Sequence, residues 1–174
     1  RDVLAQNDEH PLVGFAIDLG TTSLAGLLVD LDTGKILAKA SGGNGQIRYG
    51  ADVINRIIES CREGGRERLQ DAVVKESIRP LLERMCMSAD IKPERIYRMV
   101  LAGNTTMNHL LLGLHSDPVR MEPFVPSFFA ADTIYTRDIG IHLNGEAELI
   151  LAPNIGSYVG GDITAGALVS MIWN

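Results

Sequence analysis

Residues 18–23 read Asp18-Leu19-Gly20-Thr21-Thr22-Ser23 and directly follow a nearly continuous apolar run from Leu12 to Ile17. A short run that is apolar almost throughout is typical of a strand buried on both faces. We therefore predict that Leu12 to Ile17 forms the central strand of a sheet, with Asp18 at the carboxyl end of that strand. The glycine and the hydroxyl residues that follow predict a tight polar turn.

Two further strands are predicted after this turn. Leu24 to Val29 and Ile36 to Ala40 are apolar stretches, and a polar segment with Gly34 near its end separates them. Apolar stretches joined by a short polar turn are typical of antiparallel hairpins. The first three strands should therefore form an antiparallel meander.

The pattern changes to helical spacing after the break at Gly42-Gly43-Asn44-Gly45. A second helical stretch runs from Glu67 to about Ser88, and Pro80 should kink or divide it because proline has no amide hydrogen. The first helix is predicted from Ala51 onward, where apolar residues recur at helical spacing: Ile54, Ile57, Ile58 and Cys61.

The remaining sequence alternates strands with helices. Strands are predicted at Arg98 to Ala102 and at Leu149 to Ala152, and a leucine-rich helix is predicted between them at Thr105 to Gly113. A closing helix through Ile172 should begin at Asp162, because aspartate is a good amino-terminal cap.

This order of elements predicts an α/β fold of ribonuclease-H-like topology, with a mixed five-stranded sheet and helices on both faces. Residues 1–11 are interpreted as a linker and residues 12–174 as one subdomain. The clustered prolines Pro118, Pro123 and Pro126 indicate an insertion with irregular or short-strand structure at about residues 116–147.

Composition and charge narrow the classes of function. The 174 residues are 45% hydrophobic and 22% charged, as is ordinary for a globular domain. The net charge of −6 gives little electrostatic support for binding nucleic acid or an anionic membrane. Cys61 and Cys86 cannot supply the four thiolates of an iron-sulfur cluster, and the histidines are too scattered to predict a zinc site. No apolar run approaches the ~20 residues of a membrane span, so the cytoplasm is the expected compartment.

The turn after the first strand has the residue types that bind phosphate. Gly20 allows a ligand to approach the backbone closely. Amide and hydroxyl donors for phosphate oxygens come from Thr21, Thr22 and Ser23. Asp18 would then face a magnesium ion, which prefers oxygen ligands and keeps several waters. The alternative is a plain hairpin turn.

Two more polar loops lie at predicted strand ends. Ala102-Gly103-Asn104-Thr105-Thr106-Met107 leads a strand into a helix whose amino terminus can attract an anion, unless its polar residues only cap the helix. The stretch from Pro153 to Asp162 also joins a strand to a helix, and its glycines, Gly160 and Gly161, allow close packing or close approach of a ligand. In a ribonuclease-H-like sheet the first, fourth and fifth strands end at one edge, so the three loops predict a single site.

Four stretches together resemble the ATPase domain of reductive activators of corrinoid proteins, within the actin, Hsp70 and sugar-kinase superfamily. They are Asp18 to Ser23, Tyr49 to Ile57, Ala102 to Met107 and Gly156 to Gly166. The first of them resembles the first phosphate motif of the superfamily, and the set extends over nearly the whole chain. The resemblance implies that the chain is the first half of such an ATPase domain.

The resemblance also implies ATP and Mg²⁺ as cofactors and assigns roles to residues. Asp18 and Asn104 are implied to be catalytic, with Asp18 at the magnesium ion or its waters and Asn104 near the terminal phosphate. Asp162 is implied as a second metal residue acting through water, unless helix capping alone accounts for it. The implied nucleotide contacts are Gly20, Thr21, Thr22, Ser23, Thr105, Thr106, Gly160 and Gly161.

Proteins that this chain resembles carry a 2Fe-2S cluster in a separate amino-terminal domain and use ATP to drive an uphill electron transfer. The implied reaction is reduction of cob(II)amide to cob(I)amide in a corrinoid protein of a methyltransferase system. Whether the protein forms a homo-oligomer stays open. The second half of the nucleotide cleft is not among these residues. From the resemblance, the full-length protein is expected to be an ATPase. Because half of the cleft is missing, this chain alone is expected to bind ATP weakly and without turnover.

Three other functions stay open from the residues alone. A small-molecule kinase of the same superfamily would need a substrate pocket in the insertion. A ribonuclease-H-type nuclease would use Asp18, Glu59 and Asp162 to bind two metals, although the neutral Asn104 and the acidic surface disfavour it. A non-catalytic interaction module would contact its partner through aromatic residues of the insertion, unless these belong to the core: Phe124, Phe128 and Phe129.

Overall fold

The computed structural model describes residues 10–171, so most of the predicted linker at residues 1–11 lies outside the described residues. The strands are β1 (Val13–Leu19), β2 (Ser23–Asp30), β3 (Ile36–Gly43), β4 (Ile96–Gly103), β5 (Ile134–Tyr135) and β6 (Glu148–Leu151). The helices are α1 (Val53–Ser60), α2 (Gly65–Val73), α3 (Arg79–Ala89), α4 (Thr105–Leu111), α5 (Asp117–Arg120) and α6 (Gly161–Ser170).

The strands form one sheet in the order β3-β2-β1-β4-β6-β5. β2 is antiparallel to both β1 and β3, whereas β4 is parallel to β1 and β6 is parallel to β4. The predicted ribonuclease-H-like topology is confirmed. The sheet has six strands rather than five, because the insertion adds β5 antiparallel to β6. A strand of two residues is too short to produce a periodic pattern in the sequence.

Helices lie on both faces of the sheet, as predicted. The hydrophobic core fills one face, where alternate strand residues meet the buried side chains of α2, α3 and α4. The opposite face contacts α6 through β4. Core residues from the strands include Phe15, Ile17, Leu28, Met99 and Leu101, and those from the helices include Leu69, Leu81, Met85, Met107 and Leu110.

The helix α1 buries a different face from the one that apolar spacing predicts. Ile57 is buried, but Ile54 and Ile58 are exposed. The buried positions beside Ile57 include Arg56 and Glu59. Arg56 donates to backbone carbonyls, and Glu59 pairs with two neighbouring arginines. Buried polar groups that are hydrogen-bonded in this way are tolerated, but polar residues add nothing to a pattern of apolar spacing.

Two predicted element boundaries have clear physical outcomes. The stretch around Pro80 is divided in its hydrogen-bonding pattern without a break in the helical backbone, because a π-helical segment, Val74–Ile78, joins α2 to α3 and Pro80 lies near the start of α3. β1 continues to Leu19, beyond the predicted end, because Asp18 pairs with Ala25 of β2. Asp18 therefore lies within the strand.

No helix in the described range has both the length and the apolar character that crossing a membrane requires.

Candidate functional site

The loops after β1, β4 and β6 meet at one edge of the sheet. In the register of these parallel strands, Leu19 lies beside Gly103 and Leu101 lies beside Leu151. Neighbouring parallel strands end on the same side, and ligands bind outside these carboxyl ends in open α/β sheets. The predicted convergence of the three polar loops is confirmed.

Gly20 occupies a tight position in the turn after β1. A Cβ atom at Gly20 would lie 2.6 Å from the carbonyl oxygen of Ser23, so a larger residue would force the turn open. The side chain of Thr21 is half-buried, whereas those of Thr22 and Ser23 are exposed. The turn therefore combines a compact backbone with accessible hydroxyl groups.

Asn104 both caps α4 and contacts the turn. Its Oδ1 accepts a hydrogen bond from an N–H in the first turn of α4 at 3.0 Å, and its Nδ2 donates to Thr21 Oγ1 at 3.2 Å. Thr105 and Thr106 are buried, and the Thr105 hydroxyl donates to a backbone carbonyl of the loop after β6 at 2.5 Å. These residues join the three loops, and contact of Thr105 and Thr106 with phosphate stays a prediction.

Asp18 and Asp162 bring two carboxylates to the same edge. Both side chains are exposed, Asp18 on β1 and Asp162 in the first turn of α6. Partial burial, and then the negative charge of Asp162, raise the pKa of Asp18. Two carboxylates that repel each other in this way are suited to a cation, and oxygen ligands are those that magnesium prefers. The donor set therefore fits a magnesium ion that keeps most of its waters.

The prediction that Asp162 caps α6 is wrong. The helix begins at Gly161, Gly160 occupies the capping position, and no side chain caps the helix. Asp162 Oδ1 instead accepts a hydrogen bond from the N–H of Ile163 at 2.8 Å. Two glycines allow the cap of the helix to lie two residues earlier, at Gly160 rather than Asp162, and a carboxylate in the first turn still interacts favourably with the helix dipole.

Gly160 and Gly161 are required by packing. A Cβ atom at Gly160 would lie 2.5 Å from the backbone nitrogen of Thr105, and one at Gly161 would lie 2.5 Å from the carbonyl oxygen of Ala152. Both contacts are with backbone atoms, which cannot move aside as a flexible side chain can. The close packing that these glycines predict is confirmed, and close approach of a ligand stays a prediction.

Comparison with known proteins places this arrangement in a family. A family model described as the RACo middle region matches residues 13–174. The chain belongs to the RACo middle-region family. The match includes all six strands and the three loops that form the site.

Two individual proteins are similar to this middle region. The corrinoid activation enzyme RamQ of Eubacterium limosum is 34% identical over an alignment of 167 residues, which covers 94% of this chain and 28% of RamQ. A solved structure of a reductive activator for corrinoid, iron-sulfur protein is 36% identical with a TM-score of 0.91, over 94% of this chain and 26% of that protein. The chain thus spans about a quarter of the length of these relatives.

Asn44 and Arg56 lie directly behind the turn of this middle region, and neither was predicted to be at the site. Asn44 is 1% exposed and Arg56 is fully buried. Their side chains donate to the carbonyls of Gly20 and Thr21, at 2.9 and 2.6 Å. Arginine is almost never fully buried unless it is paired, so its residue type gave no signal. The one signal was its place in the Tyr49 to Ile57 stretch, on which the family resemblance rests.

His109 links α4 to the insertion. The ring is fully buried, its Nδ1 is 2.7 Å from the Thr105 carbonyl oxygen, and its Nε2 accepts from the Ser127 N–H at 3.0 Å. Because Ser127 is the donor to Nε2, the ring proton is assigned to Nδ1. Phe128 packs against the ring with 5.0 Å between centroids. Burial lowers the pKa of His109, which keeps the ring neutral and the link intact.

Acidification is expected to weaken this link. A histidine with a lowered folded-state pKa makes a contribution to the free energy of unfolding that is complete above its ordinary pKa of 6.5. That contribution is lost as the pH falls from 6.5 through the folded-state pKa. Replacing His109 by Gln should reduce this pH dependence. At neutral pH the substitution should destabilise the protein by about 1–3 kcal/mol, because the Ser127 N–H loses its acceptor.

Urea unfolding at about pH 7.5 and about pH 5.5 measures both effects. His142→Gln is a matched control, because it makes the same substitution at an exposed histidine. The same loss of stability on acidification in H109Q, in H142Q and in the parent protein would contradict the assigned role.

The nuclease alternative is not supported by the placement of the carboxylates. Glu59 pairs with Arg62 at 2.8 Å and with Arg68 at 2.7 Å, and it does not join Asp18 and Asp162. Among residues 10–171, no group of three or more His, Cys, Asp or Glu side chains is placed to hold a metal ion. A two-metal nuclease depends on such a cluster.

The aromatic residues of the insertion divide into two groups. Phe128 packs against the core, whereas Phe124 and Phe129 are exposed. The ring of Phe124 lies near that of Tyr158, with 6.5 Å between centroids. Contact of Phe124 and Phe129 with a partner stays a hypothesis.

Proposed function

We propose that this chain is the first half of the ATP-binding domain of a reductive activator, which uses ATP to drive reduction of cob(II)amide to cob(I)amide in a corrinoid protein. The observation that carries the proposal is the meeting of three polar loops at one sheet edge, where a hydroxyl-rich turn lies beside two carboxylates. Family membership supports it, and both similar proteins are named for the activation of corrinoid proteins.

The turn would bind the phosphates of ATP. Hydroxyl and amide groups of Thr21, Thr22 and Ser23 would donate to phosphate oxygens, and Gly20 would allow the backbone to approach them. Asn104 would orient the terminal phosphate with its amide, since its Nδ2 already lies 3.2 Å from Thr21 Oγ1. Phosphoryl transfer depends mainly on positioning and on charge stabilisation, so these groups suffice without a nucleophilic side chain.

Asp18 would bind the magnesium ion or its waters, and Asp162 would act through a water. When bound, the ion neutralises negative charge that develops on the phosphate oxygens. The contribution of Asp18 is to hold a carboxylate beside the turn, on a strand that is hydrogen-bonded on both sides. Thr105, Thr106, Gly160 and Gly161 would contribute mainly by holding the second and third loops against the turn.

The remaining parts of the activator would lie elsewhere in the full-length protein. A 2Fe-2S cluster in a separate domain would deliver the electron, and the partner would be the corrinoid protein of a methyltransferase system in the cytoplasm. A small-molecule kinase of the same superfamily is the rival function. It differs in one measurable respect, because its ATP turnover would depend on a small substrate rather than on a corrinoid protein.

The test is ATP turnover by the full-length protein, with and without a corrinoid protein in the cob(II)amide state and with a low-potential reductant. The cobalt absorption spectrum is followed at the same time, and ADP in place of ATP is the control. We expect cob(I)amide to form only with ATP. ATP turnover that is indifferent to the corrinoid protein, with no change of the cobalt spectrum, would overturn the proposal in favour of the kinase.

A further inference from the structure

The backbone carbonyls of residues 20–22, in the turn after β1, all accept hydrogen bonds from the buried side of the turn. The Asn44 side chain donates to the Gly20 carbonyl at 2.9 Å, and the Asn44 N–H donates to the Thr22 carbonyl at 2.8 Å. Between them, Arg56 Nη2 donates to the Thr21 carbonyl at 2.6 Å. Three consecutive carbonyls of the turn therefore point towards Asn44 and Arg56, which are buried.

This arrangement determines the direction of the N–H groups in the turn. In a trans peptide the carbonyl and the following N–H point in opposite directions. The cis peptide bond found in residues 10–171 is Glu122-Pro123, outside the turn. The N–H groups of Thr21, Thr22 and Ser23 therefore point away from the buried residues. Successive backbone N–H groups that face outward form a concavity that binds anions.

Arg56 is held firmly in this position. Its Nε donates to the Gly50 carbonyl at 2.9 Å, and its Nη1 contacts Gln46 Oε1 at 3.2 Å and Met107 Sδ at 3.3 Å. Asn44 is held as well, because its Oδ1 accepts from the Gln46 N–H at 3.0 Å. The guanidinium therefore links the turn to the first and fourth helices, and it cannot move without breaking several buried contacts.

The charge of Arg56 is not neutralised by an ion pair. Within the described residues its guanidinium has no carboxylate at ion-pair distance, and Asp52 attracts it only from further away. Burial lowers its pKa to about 10, so the side chain stays protonated near neutral pH. A buried cation bound only to neutral groups is destabilising by itself, and an anion bound nearby would stabilise it.

We propose that Asn44 and Arg56 form a clamp that aims the N–H groups of the turn at a phosphate chain, and that the charge of Arg56 favours ATP over less highly charged nucleotides. Arg56 is a positioning residue, because it acts through the Thr21 peptide and does not touch the nucleotide. The inference rests on the proposed function and goes further, since it assigns part of the selectivity for the triphosphate to a residue behind the site.

The first test compares the affinities of the full-length protein for ATP, ADP and adenosine by calorimetry. We expect Arg56→Gln to lower the affinity for ATP by about tenfold or more, for ADP by less, and for adenosine not at all, because the lost attraction scales with ligand charge. Arg56→Lys retains the charge and should recover most of the preference for ATP. Arg62→Gln is the control, because it removes an exposed arginine just beyond α1.

The second test needs no nucleotide and follows amide hydrogen exchange where the turn is held in the full-length protein, at the buried Asn44 N–H that donates to the Thr22 carbonyl. Arg56→Gln and Arg56→Lys should both speed exchange at Asn44, because neither side chain reproduces the whole set of guanidinium contacts that hold the turn. Exchange in the core of β4 should not change. If Arg56→Gln does not fold, Arg56→Lys alone decides, by faster exchange at Asn44 with the preference for ATP retained.

Two results would overturn the clamp. One is an equal loss of affinity for ATP and adenosine in Arg56→Gln, which would indicate only a general disturbance of the fold. The other is unchanged exchange at Asn44 in Arg56→Lys. Failure of the proposed function is distinguishable from both, because it would appear in the unsubstituted protein, either as no ATP binding or as ATP turnover that is indifferent to the corrinoid protein, whereas the exchange measurement would still report on the clamp.

Discussion

Replacing Asp18 by Asn is expected to lower ATP turnover by the full-length protein by about 100-fold or more, while the fold stays intact. Asparagine has almost the same shape as aspartate, but it lacks the negative charge that attracts a magnesium ion. Neighbouring groups cannot replace that charge, because in the described residues Asp18 and Asp162 form only a pair. Steady-state ATP hydrolysis and calorimetric binding of ATP with and without Mg²⁺ measure the effect.

The same substitution should leave the melting temperature unchanged or slightly higher. Burial, and then Asp162, raise the pKa of Asp18 above its ordinary value of 3.8. A raised carboxyl pKa means that the folded state binds the proton more tightly than the unfolded state does. The free energy of unfolding therefore falls as the pH rises from 3.8 through the folded-state pKa, and at neutral pH the charged Asp18 is destabilising.

Asp32→Asn is the matched control for this prediction. Asp32 is an exposed carboxylate in the turn between β2 and β3, at the opposite edge of the sheet from Asp18. The Asp32→Asn substitution removes the same charge from the protein without changing the site. If D18N and D32N hydrolyse ATP at the same rate, Asp18 does not bind the metal.

Replacing Gly160 by Ala is expected to destabilise the protein by about 2–4 kcal/mol and to abolish nucleotide binding. The new Cβ would lie 2.5 Å from the Thr105 nitrogen and 2.6 Å from the Asn104 Cα. Relief of this contact requires the loop after β6 to move away from α4, which would separate two of the three loops that form the site. Urea unfolding and ATP binding by the full-length protein measure the two consequences.

Gly156→Ala in the same loop is the control for Gly160→Ala. A Cβ at Gly156 meets no atom within 4 Å, so the substitution should change stability by less than about 0.5 kcal/mol and leave binding intact. Comparable stability and binding in the two variants would show that the loop is not packed as tightly as the contacts of Gly160 require.

Opposite charges lie on the two sides of the site, negative at the sheet edge and positive behind the turn. The carboxylates of Asp18 and Asp162 repel each other at the sheet edge, and Arg56 carries an unneutralised positive charge behind the turn. Each feature is unfavourable for folding alone. A magnesium ion bound to phosphates would relieve both, with the metal beside the carboxylates and the phosphates facing the turn. Residues that destabilise a fold in this way are characteristic of sites kept for function.

Local patterns were sufficient to predict much of the fold. The apolar run before Asp18 identified the central strand, and the alternation of strands and helices afterwards gave the sheet order. From that order the meeting of the three loops followed, because parallel strands end at the same edge. The short β5 was not predicted, since a two-residue strand is too short to show a period. The true start of α6 was not predicted either, because Gly160 and Gly161 lack the polar side chain that usually marks a helix start.

Several residues at the site could be recognised only from three-dimensional contacts. The partners of Arg56 include Thr21, which lies 35 positions earlier in the chain, and Met107, which lies 51 positions later. His109 joins the insertion through Ser127, 18 positions away. Single-sequence patterns report neighbours a few positions apart, so they carry no information about such pairs.

The sequence by itself determined the topology and the chemical character of the three loops, because hydrophobic periodicity and turn residues act over short distances along the chain. Only the tertiary structure decided which polar groups are buried behind the turn, which carboxylates meet and which glycines are sterically required. These properties depend on contacts between segments that are distant in sequence. Burial of Arg56 is tolerated only where the carbonyls of Thr21 and Gly50 are brought to its guanidinium, and the folded chain alone does that.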